Sequence, residues 1–169
     1  MTRRRSISLA VVVALASLLL LLQVTSVAAK GPKILKFGTM VGVTGSFVGS
    51  TNPLRGVNGG GLPWRLNEAG GQLTAGGHLD IEVEGLVLAA GASEGTNPIP
   101  NFRGLVSCLN TSNEVVNRLT DNFPATTGAA SAGGGNAHIE ADLAIPDPCI
   151  APIVFVTSPT GSWFSVTGG

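Results

Sequence analysis

Tyrosine is absent from the 169-residue sequence, tryptophan and histidine each occur twice, and charged residues make up only 12% of the chain. Surfaces that bind sugars or proteins are usually enriched in tyrosine together with tryptophan, so a large aromatic binding surface is disfavoured.

The presence of only two histidines also restricts the catalytic sites that the chain can build. The sequence has no G-x-x-x-x-G-K phosphate-binding loop, and its turns and short strands offer no strand-to-helix step to present a nucleophilic serine. We therefore expect the protein not to be an enzyme and to carry no cofactor.

Cysteine is scarce as well, with Cys108 and Cys149 as the only two. They are not part of a C-x-x-C motif, and two cysteines alone cannot complete a tetrahedral metal site. In an exported protein, two cysteines most simply form one disulfide. We predict a Cys108–Cys149 bond, which would close a loop of about forty residues and stabilise the fold by about 3–4 kcal/mol on a chain-entropy estimate.

The one long hydrophobic run lies at the N-terminus. A basic segment at Arg3–Arg5 precedes an apolar segment at Ile7–Leu22, and Val27–Ala29 has the small residues of a cleavage site. This order predicts a secretory signal peptide over residues 1–29, cleaved after Ala29. The alternative is an uncleaved membrane anchor, because the apolar run is nearly long enough to span a bilayer. The sequence thus predicts a secreted or extracellular protein, attached to a membrane only if the leader is retained.

Basic residues are in the minority once the leader is set aside. Three of the ten basic residues belong to the leader, which leaves seven against ten acidic residues and a net charge of −3. The remaining lysines and arginines are scattered and form no basic patch, which nucleic-acid binding requires. Nucleic acid is therefore excluded as an expected partner.

Glycine and proline, by contrast, are abundant, and all 24 glycines and all ten prolines follow the leader. They divide short apolar runs, a composition that is typical of a compact all-β domain. We predict a single domain over residues 30–169, built as a two-sheet antiparallel β-sandwich or a related barrel of eight or nine short strands. The low-complexity segment at residues 125–136 is predicted to be a flexible loop.

Alternation of apolar and polar residues predicts the strands themselves. The clearest case is His78–Leu88, in which leucine, isoleucine and valine alternate with histidine and acids, and Gly76–Gly77 before it predicts a hairpin turn to Gln72–Ala75. A second half-buried strand follows from the alternation in Ala137–Ile145. The other predicted strands are Ile34–Val41, Leu62–Leu66, Asn101–Leu109, Glu114–Leu119, the doubly buried Ile153–Val156 and Ser162–Thr167.

The two histidines are the candidate metal ligands. His78 and His138 both lie at polar positions of alternating strands, beside Asp80 and Glu140 respectively. The plainer interpretation is that both are exposed on a solvated face. If the two strands paired, however, these residues and Asp142 would converge on one face, where they could hold a divalent cation.

The two tryptophans are the candidate ligand-binding residues. Trp64 lies near the Gly-rich stretch Gly59–Gly61 and could present a stacking surface for a glycan, as could Trp163. The alternative is that both pack in the core or at a sheet edge. A separate feature is the repeat of Thr51–Leu54 (T-N-P-L) as Thr96–Ile99 (T-N-P-I), which indicates either two equivalent turns or chance.

Two motifs carry a general resemblance. The sequence resembles small exported bacterial proteins in two motifs, the hairpin pattern G-x-L-x-x-x-G-x-L-x-I-x-V at residues 71–83 and the stretch C-I-A-P-I-V-F-V-T-S at residues 149–158. These proteins have no assigned activity, so the resemblance carries no function over to this chain. The sequence therefore favours an exported, non-catalytic β-sandwich that acts as an envelope or extracellular interaction or structural module. A cell-wall glycan and another extracellular protein are both open as partners. The alternative is a secreted enzyme or metal-dependent protein that uses the strand faces of His78 and His138.

Overall fold

The computed structural model describes residues 31–167 and shows an all-β chain with several antiparallel sheets. The predicted leader, residues 1–29, lies outside the described residues. Two short 3-10 turns occur, at Gly45–Phe47 and Ala130–Ala132. The strands are β1 Lys33–Phe37, β2 Met40–Gly42, β3 Trp64–Arg65, β4 Glu68–Thr74, β5 His78–Glu84, β6 Val87–Leu88, β7 Thr96–Asn97, β8 Asn101–Leu109, β9 Val115–Leu119, β10 Phe123–Pro124, β11 Gly128–Ala129, β12 Ala137–Asp142, β13 Ile150–Thr157 and β14 Trp163–Thr167.

A four-stranded sheet has the order β1-β4-β5-β12, with every pair antiparallel. Strands β4 and β5 form the predicted hairpin, and β4 extends further back than predicted, to Glu68. Gly77, with φ of +85°, closes the turn in a left-handed conformation that glycine adopts without strain. The hairpin predicted from sequence is confirmed.

A six-stranded sheet has the order β10-β8-β13-β14-β2, and β9 also pairs with β8. Strand β13 lies between β8 and β14, the central position that its apolar Ile153–Val156 stretch predicted. Strands β8 and β9 form the neighbouring pair expected from Asn101–Leu109 and Glu114–Leu119. Two further sheets have two strands each, β3 with β6 and β7 with β11.

The two larger sheets pack against each other through apolar side chains. Gly104 on β8 faces the four-stranded sheet, because a Cβ placed there would lie 2.8 Å from Leu79 Cδ2 and 3.2 Å from Ile139 Cγ2. The large residues with side chains almost wholly buried include Leu73, Leu79, Ile81, Val83, Phe102, Val106, Ile139, Val154 and Phe155. The inward residues of β5 and β12 are therefore the apolar members of the alternating patterns.

Two predicted strands are each divided in the structure. The predicted strand Ile34–Val41 is β1 in the four-stranded sheet and β2 in the six-stranded sheet, with the crossing at residues 38–39. The predicted strand His78–Leu88 ends at Glu84, because Gly85 has φ of +63° and turns the chain toward β6. An apolar pattern shows that residues are inward, but it does not show which sheet they join.

The predicted disulfide is confirmed: Cys108 and Cys149 are bonded, with a sequence separation of 41.

The glycine-rich segment at residues 125–136 has defined partners, because Gly128 and Ala129 pair with Asn97 and Thr96. Its flexibility stays a prediction. Within residues 31–167, no helix has the length and apolar character needed to cross a membrane.

Candidate functional site

The strands of the two histidines are neighbours, as the metal hypothesis required. Strand β12 pairs with β5 so that Asp142 lies opposite His78, Glu140 opposite Asp80, and His138 opposite Glu82. Residues directly opposite in an antiparallel pair share one face of the sheet. The side chains at these six positions therefore line the same face.

This face, called the acidic face below, collects most of the acidic residues of the chain. Strand β4 adds Glu68 opposite Glu84, so that six of the ten acidic residues lie on one sheet. Beside them, Gly70 has no side chain, and a recess of about 280 Å³ opens between Glu68, Glu82 and Glu84. Strand β1 places Lys36 opposite Gln72 at the far edge.

His78 is buried on this face, which corrects the expectation that it is exposed. It is 7% exposed, and its ring nitrogens face two carboxylates of β12. Nδ1 is 2.8 Å from Asp142 Oδ1, and Nε2 is 3.4 Å from Glu140 Oε1. Because β12 lies directly alongside β5, its acidic side chains cover the imidazole. The burial of His78 cannot be predicted without knowing which strand pairs with β5.

His138 is more open to solvent, as the sequence predicted. Its side chain is about half exposed, and Nε2 is 3.1 Å from Asp80 Oδ1 and 3.7 Å from Glu82 Oε1. Gln72 Nε2 donates to the second oxygen of Asp80 at 3.2 Å. Each histidine thus contacts two carboxylates of the opposite strand.

The register separates the two histidines. His138 lies opposite Glu82, four residues from His78, so their Cα atoms are about 13 Å apart along the strands. Two imidazoles that share one ion each approach it to about 2 Å. Within residues 31–167, no group of three or more His, Cys, Asp and Glu side chains is placed to hold a metal ion. A metal site shared by His78 and His138 therefore has no geometric support.

Both tryptophans are buried, Trp64 at 5% and Trp163 at 3% exposure. Trp64 stacks on Phe164 with ring centroids 3.9 Å apart, and Trp163 packs against Phe155 with centroids 6.0 Å apart. Neither ring has an exposed face on which a sugar could stack. The glycan-binding hypothesis for these two residues has lost its support, because strand pairing turns both rings inward.

Sequence reasoning missed two apolar recesses beside the tryptophans, of about 300 and 380 Å³. Val41 and Phe47 at the first and Leu62 at the second are exposed large apolar residues. They lie in or near Gly-rich turns, where no periodic pattern marks an exposed apolar residue. The recesses are lined by, among others, Val41, Phe47, Leu54, Trp163 and Val166 in the first, and Leu62, Trp64, Leu88, Ile99 and Phe164 in the second.

The segment G-A-S-E-G at residues 91–95 matches the G-x-S-x-G pattern of a hydrolase nucleophile, so it is wrong to say that this pattern does not occur in the sequence. The structure places Ser93 in an exposed turn between β6 and β7, where its backbone oxygen accepts hydrogen bonds from Thr96. No helix follows this turn before β7, whereas the hydrolase motif joins a strand to a helix. Ser93 therefore does not match the structural context of the motif. His138, for its part, contacts Asp80 and Glu82 on the four-stranded sheet.

The two T-N-P segments are not equivalent. Asn97 is buried, its Oδ1 accepts from the Ile99 N–H, and its Nδ2 donates to the carbonyls of Ile99 and Thr126. Asn52 is exposed and donates one hydrogen bond, to Ser46 O. The local repeat therefore does not mark equivalent turns.

Comparison with known proteins found no matching family model, curated protein or solved structure. The functional argument therefore depends on the residues of this chain and the contacts described above. The acidic face and the disulfide are the two features on which it can be built.

Proposed function

We propose that the protein is exported, loses residues 1–29, and acts outside the cell or in the envelope as a non-catalytic interaction or structural module. The observation that carries the export proposal is the disulfide between the buried Cys108 and the half-buried Cys149. Disulfides persist in oxidising compartments and are rare in the cytosol. The basic, apolar and small-residue segments of the leader support the same destination.

We infer that the two larger sheets form a β-sandwich. The support is the contact of Gly104 on β8 with Leu79 on β5 and Ile139 on β12, together with the apolar side chains that the two sheets bury. Sandwiches of this kind keep one face of each sheet inward and present the other. Here the presented face of the four-stranded sheet is the acidic face.

The geometry supports a binding or structural role over catalysis. Both histidines contact carboxylates of the neighbouring strand. These contacts within the sheet explain the positions of both imidazoles without a catalytic role. The burial of Trp64 and Trp163 shifts the proposal from a cell-wall glycan toward a protein partner or a structural role. A face with one predominant sign of charge favours solubility and selects against acidic partners.

The export proposal is tested by fractionating the producing cells. We expect the protein in the medium or the soluble envelope fraction, with Lys30 as its first residue by N-terminal sequencing. Its cysteines should resist alkylation until the protein is reduced. Recovery from the cytosol with both thiols free would contradict export, and an intact leader in the membrane fraction would show an anchored protein.

The interaction proposal is tested by co-sedimentation of the exported protein with isolated envelope and polysaccharide fractions. The double variant Glu82→Gln/Glu84→Gln removes two charges from the acidic face, and Glu94→Gln/Asp121→Asn removes two from exposed positions elsewhere. Retention lost in the first variant alone would locate the contact on the acidic face. No retention in any fraction would leave the structural role, and a steady release of soluble product from a fraction would contradict the non-catalytic proposal.

A further inference from the structure

The outer face of the six-stranded sheet, which is turned away from the four-stranded sheet, is not open to solvent. Gly104 on β8 faces the four-stranded sheet, so Leu105 and Ser107 on the same strand face outward. Both are nevertheless buried, at 5% and 0% exposure. The connection from β2 to β3 lies over this face, and its residues 44–60 are called the strap below.

Two hydrogen bonds hold the tip of the strap, at Arg55, against the sheet. Arg55 Nη2 donates to Ala151 O at 3.1 Å, and Asn117 Nδ2 donates to Arg55 O at 3.0 Å. Ala151 is on β13, and Asn117 is on β9 directly opposite Ser107, so the tip lies beside the outward side of Ser107. Because β2 is at one edge of the sheet and β9 lies beyond β14, β13 and β8, the strap crosses the whole sheet.

The backbone is strained at both ends of the Arg55–Ala151 hydrogen bond. Arg55 has φ of +53° and Ala151 has φ of +46°, both in the left-handed region. A residue with a side chain rarely adopts these values, and it keeps them where the contacts around it fix the conformation, as at ligand-binding sites. Glycine or asparagine fits a left-handed turn position better, so the arginine at position 55 indicates a role for its side chain.

The guanidinium of Arg55 has a free donor at the strap tip. Its Nη1 is buried and has no hydrogen-bond partner within residues 31–167, and the same is true of Ser107 Oγ beside the tip. The ion pairs in this part of the chain involve the two histidines, and none includes Arg55. A guanidinium has only donors, and its planar fork fits the two oxygens of a carboxylate. The strap tip is therefore suited to a ligand with a carboxylate group.

The apolar recess of about 300 Å³ lies between the strap and the sheet. It is lined by Val41, Trp163 and Val166 of the sheet and by Phe47 and Leu54 of the strap. Val41 and Phe47 are exposed, so the recess opens to solvent between them. Leu54 directly precedes Arg55, so the recess and the guanidinium share the strap tip. A volume of this size is at the lower end of the range of small-molecule sites.

We propose that the strap and the outer face of the six-stranded sheet bind a small apolar carboxylate, of the chemistry of a medium-chain fatty acid. Its hydrocarbon chain occupies the recess, and Arg55 binds its carboxylate at the strap tip. Burial of the hydrocarbon chain supplies affinity, and the guanidinium selects the acid over an uncharged molecule of the same length. The acidic face belongs to the other large sheet, so the ligand does not approach its carboxylates.

The test is calorimetric titration of the purified protein with octanoate and with octan-1-ol at about pH 7, where the carboxyl group is ionised. The two probes have the same chain length and differ in the carboxylate. We expect octanoate to bind about tenfold more tightly than the alcohol, because a hydrogen bond to a charged group is worth more than one to a neutral group. Absence of octanoate binding, or equal affinity for the two probes, would overturn the proposal.

Matched variants locate the two parts of the ligand. Arg55→Gln should weaken octanoate binding about tenfold and leave octan-1-ol binding unchanged, whereas Phe47→Ala should weaken both. Arg65→Gln removes a positive charge at an exposed position of β3, and Leu62→Ala alters the other apolar recess, so both should bind like the unaltered protein. Octanoate binding that survives Arg55→Gln, or that is lost only in Leu62→Ala, would contradict the proposal. If Arg55→Gln fails to fold, the two probes and the exposed Phe47→Ala position decide the question.

Discussion

At the scale of single residues, burial decides which polar side chains support the fold. Asn97 is 1% exposed and makes three hydrogen bonds to backbone groups, two of them to Ile99. Asn52 occupies the same place in the other T-N-P segment but is exposed. A buried backbone group that loses its partner destabilises the fold far more than an exposed group, which water can satisfy.

We expect Asn97→Ala to lower the free energy of unfolding by about 3 kcal/mol, because the Ile99 N–H and the carbonyls of Ile99 and Thr126 lose their partner. Asn52→Ala is the matched control, with an expected change of about 0.5 kcal/mol or less. Urea unfolding followed by tryptophan fluorescence measures both. Equal effects of the two substitutions would contradict the difference in burial.

Trp64 is the second residue whose role the structure defines, through its stacking on Phe164 and its edge contact with Phe102. Trp64→Ala should lower the free energy of unfolding by about 3–5 kcal/mol, because it leaves a cavity among these rings. Leu62→Ala, at an exposed position nearby, should change it by about 0.5 kcal/mol or less. Thermal unfolding by circular dichroism distinguishes the two. A Trp64→Ala protein of unchanged stability would show that the ring is not part of the core.

At the scale of elements, the β4–β5 hairpin depends on a close approach at Gly71. A Cβ at this position would clash with the backbone oxygen of Asp80 and lie 2.7 Å from Phe37 Cζ. The backbone of β5 cannot move away without breaking its register with β12. Only glycine fits here, so the spacing of this hairpin depends on one residue type.

We expect Gly71→Ala to destabilise the protein by about 1–3 kcal/mol through overpacking. The control is Gly61→Ala, where an added Cβ would meet nothing within 4 Å. That variant should be neutral or slightly stabilising, since alanine restricts the unfolded chain. Denaturation midpoints of the two variants provide the comparison, and a Gly71→Ala midpoint at or above that of Gly61→Ala would contradict the close contact.

At the scale of the whole molecule, the disulfide joins β8, a strand of the six-stranded sheet, to the segment that precedes β13. Strands β8 and β13 are already partners in that sheet. The bond therefore restricts the unfolded chain across 41 residues more than it adds contacts to the folded one.

We expect Cys108→Ala/Cys149→Ala to lower the free energy of unfolding by about 3–4 kcal/mol. Reduction of the unaltered protein should produce a similar loss, and the same reductant should leave the double variant unaffected. Urea unfolding with and without reductant measures all four conditions. A reduced protein as stable as the oxidised one would show that the bond contributes little.

Sequence alone sufficed for the part of the hairpin at residues 72–84, for strands β8, β9 and β13, and for the disulfide, but not for the first half of β4, which begins at Glu68. In each case the signal is local: alternation along a strand, glycines at a turn, or a single pair of cysteines. The division of Ile34–Val41 between two sheets and the burial of His78 could not be predicted in this way. Both depend on which strands lie side by side, and no local pattern specifies the neighbour.

The sequence by itself determined an all-β chain with acidic residues on one face of two strands, because side chains alternate across a strand whatever its partner is. Only the tertiary structure decided that these strands pair, that Asp80 faces Glu140, and that His78 and His138 lie on either side of them. It likewise decided that both tryptophans are core residues. Electrostatic and packing contacts act over a few ångströms, and pairing of strands about sixty residues apart creates those distances only in the folded chain.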